Sequence, residues 1–131
     1  MGIGIRNFLI TFVVFMFVDL IWLGFVAKKL YSKYLGYIMS DKVNWSAAIL
    51  FYVLFIIGLL VFVINPAKSV SNALLLGAFF GLVTYATYDL TNLATLKNWP
   101  IFITIIDLIW GTVLSASTST ISYLIIDKIG K

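Results

Sequence analysis

The charged residues of this chain are spaced so widely that they divide the sequence into four long apolar intervals. One interval, between Lys42 and Lys68, contains no charge, and each of the others contains a single aspartate: Asp19, Asp89 or Asp107. Every interval is long enough for the roughly 20 residues that span the hydrocarbon core of a bilayer. Because backbone hydrogen bonds must be satisfied inside lipid, apolar runs of this length predict helices. The sequence therefore predicts an all-α integral membrane protein, built as a bundle of four transmembrane helices.

The composition supports a single domain embedded in the lipid bilayer. Of the 131 residues, 63% are hydrophobic and only 11% are charged, whereas about a quarter of the residues of a soluble domain are charged. We place the helices at residues 7–27, 45–64, 70–93 and 101–126, and we treat residues 1–131 as one domain. The net charge of +4 is typical of lysines at membrane interfaces, so it does not indicate nucleic-acid binding.

Cysteine and histidine are both absent from the chain. Their absence excludes disulfides, thiol nucleophiles, histidine bases and the usual zinc sites. We therefore expect no cofactor and no catalytic residue of a familiar mechanism, and the sequence favours a protein that is not an enzyme without deciding the matter. Whether the acids hold a metal ion stays open.

The three membrane aspartates are predicted to lie at similar depths. With 1.5 Å per residue counted from the middle of each interval, Asp19 lies about 3 Å, Asp107 about 7 Å and Asp89 about 10 Å from the midplane. Successive helices alternate in direction, so all three displacements point away from the N-terminal side, side A, and toward the opposite side, side B. An acid inside a membrane helix costs several kcal/mol and is a functional candidate by default, although a structural hydrogen bond is the alternative.

The tetrapeptide Asp-Leu-Ile-Trp occurs twice, at residues 19–22 and 107–110. The two copies lie on helices of opposite direction, so their acids can approach each other at a shared depth. On the third helix, Tyr85, Asp89 and Asn92 share one stripe at 100° per residue. These patterns predict a small polar cavity that opens toward side B and is lined by Asp19, Asp89, Asp107, Tyr85, Tyr88, Asn92, Trp22 and Trp110.

Other features predict how the helices are arranged. The third helix carries polar residues almost all round near side B, so we expect it to be the innermost helix. Gly77 and Gly81 form a G-x-x-x-G pattern, which favours close packing within the bundle over dimerisation. The first connection, residues 28–42, mixes lysine and tyrosine, which predicts a segment lying at the membrane interface, with a short helix as one form it could take.

Several of these residues also occur in stretches that resemble a known protein family. The stretch "YATYDLTNLATLKNWP" at residues 85–100, together with both Asp-Leu-Ile-Trp copies, resembles a family of small bacterial membrane proteins catalogued as domain of unknown function 2177. The resemblance covers nearly the whole chain and implies a four-helix protein of the bacterial inner, cytoplasmic membrane. It implies no activity, substrate or catalytic residue.

Three functions are compatible with these patterns. The first is a transporter or channel-like protein for protons, hard cations or a small polar or cationic solute, because carboxylates suit hard cations and coupled acids suit proton exchange. We expect such a protein to work as a homodimer, because four helices make a thin wall for a pore. The second is a lipid-modifying enzyme or its accessory subunit, and the third is a structural or sensory membrane partner. Basic residues are nearly balanced between sides A and B, so the orientation stays open.

Overall fold

The computed structural model describes residues 4–130 and contains four long helices in that range. They are α1 (Ile5–Leu35), α2 (Trp45–Ile64), α3 (Val70–Thr95) and α4 (Ile101–Ile129). Each is long and apolar enough to cross a membrane. The shortest, α2, has 20 residues and so spans about 30 Å, the thickness of a bilayer core. The predicted all-α bundle of four transmembrane helices is confirmed.

The sequence marks most helix boundaries with residues that start or stop helices. Asn44 precedes α2 and its side chain accepts a hydrogen bond from the Ala47 amide at 3.2 Å, and Ser69 caps α3 through the Asn72 amide at 3.1 Å. Helix α2 ends at Ile64 as predicted, directly before Asn65-Pro66, because proline disfavours helical backbone in the residue before it.

The first helix extends past its predicted end, and the short helix considered for the connection forms as its continuation. Instead of stopping at Ala27, α1 continues to Leu35 through one wide turn of π-helix at Leu23–Ala27. Nothing between residues 28 and 35 breaks a helix, because no proline or glycine occurs there before Gly36. The 31 residues of α1 exceed the roughly 20 that the bilayer core requires, so its last turns extend beyond what a single crossing needs.

The innermost helix is α4, and the prediction that the third helix lies innermost is wrong. Eleven residues of α4 are buried, compared with four in α3: Ala73, Gly77, Gly81 and Asp89. The threonines on the outside of α3 are compatible with exposure because their hydroxyls bond to their own helix. Thr87 donates to Val83 O at 2.6 Å and Thr91 to Thr87 O at 2.5 Å. A threonine satisfied in this way needs no partner on another helix.

Helices α3 and α4 pack backbone to backbone. A Cβ atom added to Gly81 would lie 2.0 Å from the carbonyl oxygen of Gly111, and one added to Gly77 would lie 2.7 Å from the hydroxyl of Ser119. Small residues at such a contact allow close approach of membrane helices. The predicted role of the G-x-x-x-G pattern, close packing within the bundle, is confirmed.

Helices α1 and α4 run antiparallel along each other. At side A the Arg6 guanidinium donates to Gly130 O at 2.5 Å. Further toward side B an apolar core fills the bundle and includes Phe15, Ile56, Leu59, Leu60 and Leu114. This core lies closer to side A than the membrane aspartates do, because Phe15 precedes Asp19 by one helical turn and Leu114 follows Asp107 by two turns. The core therefore closes the bundle between the polar residues and side A.

A pair of threonine substitutions tests whether an exposed polar residue of α3 contributes to folding. Thr87→Val should change the free energy of unfolding by less than about 0.5 kcal/mol, because the residue is exposed and loses only a bond to its own backbone. Thr104→Val should cost about 1–3 kcal/mol, because it leaves the buried Trp99 indole N–H, which now donates to Thr104 Oγ1 at 3.0 Å, without a partner. Thermal unfolding in one detergent compares the two variants. Equal losses would contradict the assignment of α3 as a peripheral helix.

Candidate functional site

A cavity of about 330 Å³ lies among the side-B halves of α1, α3 and α4. Acids and aromatic side chains form most of its wall. Leu35, from the last turn of α1, and Met39, from the following loop, lie at its edge. The lining residues are Asp19, Trp22, Leu23, Tyr31, Leu35, Met39, Tyr85, Tyr88, Asp107 and Trp110. Its volume falls at the small end of the range for small-molecule sites, about 300–1,000 Å³.

The two Asp-Leu-Ile-Trp copies meet in this cavity. Trp22 and Trp110 stack with ring centroids 4.6 Å apart and an interplanar angle of 11°. Because α1 and α4 are antiparallel, the tryptophan of each copy lies toward the acid of the other copy. The Trp110 indole is a polar neighbour of the Asp19 carboxyl. The repeated motif thus builds one wall in which two acids flank a stacked aromatic pair.

Asp107 has a partner that the sequence did not suggest. The hydroxyl of Tyr31 donates a hydrogen bond to Asp107 Oδ1, and the Trp22 indole lies next to that same hydroxyl. Tyr31 comes from the part of α1 that was predicted to lie at the interface. An uninterrupted α-helix would place Tyr31 about 120° around the axis from Asp19. The π-helical turn accommodates one extra residue and reduces this angle to about 20°, so Tyr31 faces the cavity.

Tyr85 connects the acids of three helices. Its side chain lines the cavity, and its hydroxyl is within electrostatic reach of Asp19, Asp107 and Asp89. Tyr85 also packs against α4, because a Cβ atom on Gly111 would lie 2.3 Å from its ring. The glycine at position 111 therefore makes room for the tyrosine that stands among the three carboxyls.

Asp89 lies behind the cavity wall. It is fully buried, with 0% of its surface exposed, and neither of its carboxyl oxygens has a hydrogen-bond partner among the described residues. Its electrostatic neighbour is the carboxyl of Asp107. The polar residues on the same stripe of α3 do not bond to it.

Tyr88 and Asn92 occupy the outer part of α3. Tyr88 lines the cavity and packs edge to face against Trp99, with centroids 5.9 Å apart. Asn92 is a polar neighbour of the Tyr88 hydroxyl and is not among the residues that line the cavity. The structure thus places six predicted site residues around the cavity, with Asp89 and Asn92 outside its wall: Asp19, Trp22, Tyr85, Tyr88, Asp107 and Trp110.

The side chains around this cavity favour one class of ligand. Among residues 4–130, no three acidic, histidine or cysteine side chains come together as a candidate metal site. Aromatic rings and carboxyls together suit a different kind of ligand, because the faces of tryptophan and tyrosine attract cations. The chemistry of the wall thus fits an organic cation better than an inorganic one.

Four helices that are long and apolar enough to cross a membrane define this chain as a multi-pass integral membrane protein. The sequence model of the family described as "Predicted membrane protein (DUF2177)" matches residues 4–124, and the chain belongs to this family. No curated protein and no solved structure matches the chain. The family description specifies no reaction or solute, so the function is inferred from the chemistry of the cavity.

Proposed function

We propose that this protein is a small carrier of organic cations, with an ammonium-type solute bound in the side-B cavity. The observation that carries the proposal is the composition of the wall. Two carboxyls, Asp19 and Asp107, stand among five aromatic side chains: Trp22, Tyr31, Tyr85, Tyr88 and Trp110. A cation in this position meets ring faces and negative charge together, which is the pattern that binds quaternary ammonium groups.

The charge balance of the site supports a cationic ligand. Electrostatic neighbours of Asp19 and Asp89 include no basic side chain among the described residues, so no lysine or arginine neutralises these acids from within. An acid kept in a membrane helix is by default a candidate for a solute or proton pathway. A bound ammonium group would supply the missing positive charge.

The arrangement of the cavity and the apolar core supports a carrier with one side accessible at a time. The cavity lies at the side-B end, and the core around Phe15 and Leu114 closes the bundle toward side A. Passage would require the helices to move around the site, as in other carriers whose binding site lies near the midplane. We propose that two copies of the chain work together in the bacterial inner membrane, because four helices alone give the site little shielding from lipid.

Binding of tetramethylammonium to the protein in lipid nanodiscs tests the proposal. Calorimetric titration should give saturable binding to the wild type, and Asp107→Asn should weaken it at least about tenfold, the equivalent of about 1.4 kcal/mol. Asparagine can still accept the hydrogen bond from Tyr31, so the wall should keep its shape. Asp127→Asn is the matched control, because Asp127 is exposed near the side-A end of α4.

Uptake of methylammonium into proteoliposomes then tests transport itself. We expect saturable uptake with the wild type and with Asp127→Asn, and none above empty liposomes with Asp107→Asn. Binding without uptake would exclude the carrier and leave a cation-binding protein. The absence of both binding and uptake with the wild type would refute the proposal.

A further inference from the structure

A second depression lies beside the cavity, between α2 and α3. It has a volume of about 420 Å³ and is lined by Phe51, Thr84, Tyr85 and Tyr88. Phe51 and Tyr88 are both largely exposed, at 46% and 58%, so the groove faces the surrounding lipid. Of these four residues, Tyr85 and Tyr88 also line the polar cavity. The apolar groove and the acidic cavity are therefore adjacent and share Tyr85 and Tyr88 as lining residues.

The groove exists because α2 and α3 separate toward side B. Near side A, the backbone of the last turn of α2, Leu60–Ile64, lies close to α3. The earlier part of α2 meets α3 through side chains, with the Phe80 ring against Gly58 and Phe55. Aromatic rings bridge the space that opens, and the centroids of Phe55 and Tyr85 lie 6.4 Å apart. Beyond this bridge the two helices leave a slot that is open to the bilayer.

The walls of the groove are apolar in spite of its threonine. The hydroxyl of Thr84 donates to Phe80 O at 2.9 Å, so its hydrogen-bonding capacity is used by its own helix. The ring of Tyr85 forms part of the groove, while its hydroxyl lies within reach of the carboxyls of the cavity. The tyrosine thus presents an apolar surface to one side and a polar group to the other.

We infer that the solute of this site is a single-chain amphiphile with an ammonium head group, whose head binds in the cavity and whose alkyl chain lies in the groove. This inference rests on the proposed function and specifies its substrate class. Charge complementarity places the head beside Asp19 and Asp107. Continuity through Tyr85 and Tyr88 places the chain between α2 and α3. A cavity of about 330 Å³ holds a head group, and a chain attached to that head needs the lateral exit that the groove provides.

Two probes with the same head group distinguish this inference from simple cation binding. Dodecyltrimethylammonium carries an alkyl chain and tetramethylammonium does not, and both are titrated into nanodiscs with empty nanodiscs subtracted. Thr84→Trp fills the groove from a residue that does not line the cavity. It should weaken binding of the dodecyl probe at least about tenfold relative to the wild type while changing binding of tetramethylammonium less than about twofold. Both proteins are in the same lipid, so partitioning of the chain into the bilayer cancels from the comparison.

A matched control and a second variant keep the test decisive. Phe79→Trp adds an indole elsewhere on α3, at a residue that is 65% exposed, and should bind both probes as the wild type does. If Thr84→Trp does not fold, Phe51→Trp narrows the groove from α2 and should have the same selective effect. Equal binding of the dodecyl probe by wild type and a folded groove variant would overturn the inference and leave the proposed function intact. Failure of the wild type to bind either probe would overturn both.

Discussion

Asp89→Asn should stabilise the protein, and by about 1–3 kcal/mol at alkaline pH. Burying a polar group without a hydrogen bond costs about this much, and a charged group costs more. Asp89 is fully buried, its two carboxyl oxygens have no partner among the described residues, and its neighbour is a second acid, Asp107. An asparagine keeps the shape of the side chain and adds an N–H donor that can bond to Asp107.

The sign of the pH dependence follows from the two forms of the carboxyl group. In its protonated form, Asp89 is neutral and can itself donate to Asp107, so the substitution should change stability little at acidic pH. In its ionised form, Asp89 places a second negative charge beside Asp107 without a donor, which destabilises the fold. The stability gained by Asp89→Asn should therefore grow as the pH rises. Thermal unfolding of wild type and variant in one detergent between acidic and alkaline pH measures it.

The same variant should lose uptake while it gains stability. An acid that lowers the stability of the fold is a candidate for function, because functional sites are commonly less stable than they could be. In proteoliposomes, we expect Asp89→Asn to abolish methylammonium uptake and Asp127→Asn to leave it unchanged. If Asp89→Asn instead unfolds the protein, the acid is a structural residue. If stability, pH dependence and uptake all match the wild type, Asp89 has no functional role.

The helices of this chain were predictable wherever local chemistry determines them. Four intervals with at most one charge each defined the spans, and Asn44, Ser69 and the Asn65-Pro66 pair fixed their ends within a few residues. The end of α1 was not predictable in the same way. No residue before Gly36 stops the helix, and the π-helical turn at Leu23–Ala27 has no sequence signature strong enough to reveal it. That turn decides which way Tyr31 faces.

The composition of the site was predictable in part, because depth and helical periodicity depend only on position along the chain. Packing between helices depends also on contacts with residues that are distant in the sequence. The polarity of α3 suggested a central helix, but Thr87 and Thr91 satisfy their hydroxyls on their own backbone, so polarity did not require burial. The face of α4 that contains Gly111, Ser115 and Thr118 is buried instead, because small side chains allow the closest approach of a neighbouring helix.

The close approach of α3 and α4 makes one added methyl group the substitution with the largest expected loss of stability. Gly81→Ala should destabilise the protein by about 3 kcal/mol or more, at or beyond the upper end of the range for overpacked cores. The added Cβ would lie 2.0 Å from the carbonyl oxygen of Gly111 and 2.7 Å from the Cβ of Ser115. The nearest of these atoms belongs to the backbone of a neighbouring helix, so no side-chain rotation relieves the contact.

The sign of this effect separates packing from helix propensity. Alanine favours a helix over glycine by about 1 kcal/mol, so propensity alone predicts that Gly81→Ala stabilises α3. Gly24→Ala is the matched control, because an added Cβ there meets nothing within 4 Å, and we expect it to be neutral or slightly stabilising. Thermal unfolding of both variants in one detergent makes the comparison. A stabilising Gly81→Ala would contradict the backbone contact between α3 and α4.

Gly81→Ala should also weaken cation binding in the cavity. Tyr85 follows Gly81 by one turn of α3, and its ring packs on Gly111 of α4, where an added Cβ would lie 2.3 Å from it. If Gly81→Ala pushes α3 away from α4, Tyr85 moves with it and leaves the acids of α1 and α4. We therefore expect any folded fraction of Gly81→Ala to bind tetramethylammonium at least about tenfold more weakly than the wild type, the equivalent of about 1.4 kcal/mol. Unchanged binding by a destabilised Gly81→Ala would mean that the cation site does not depend on the position of Tyr85.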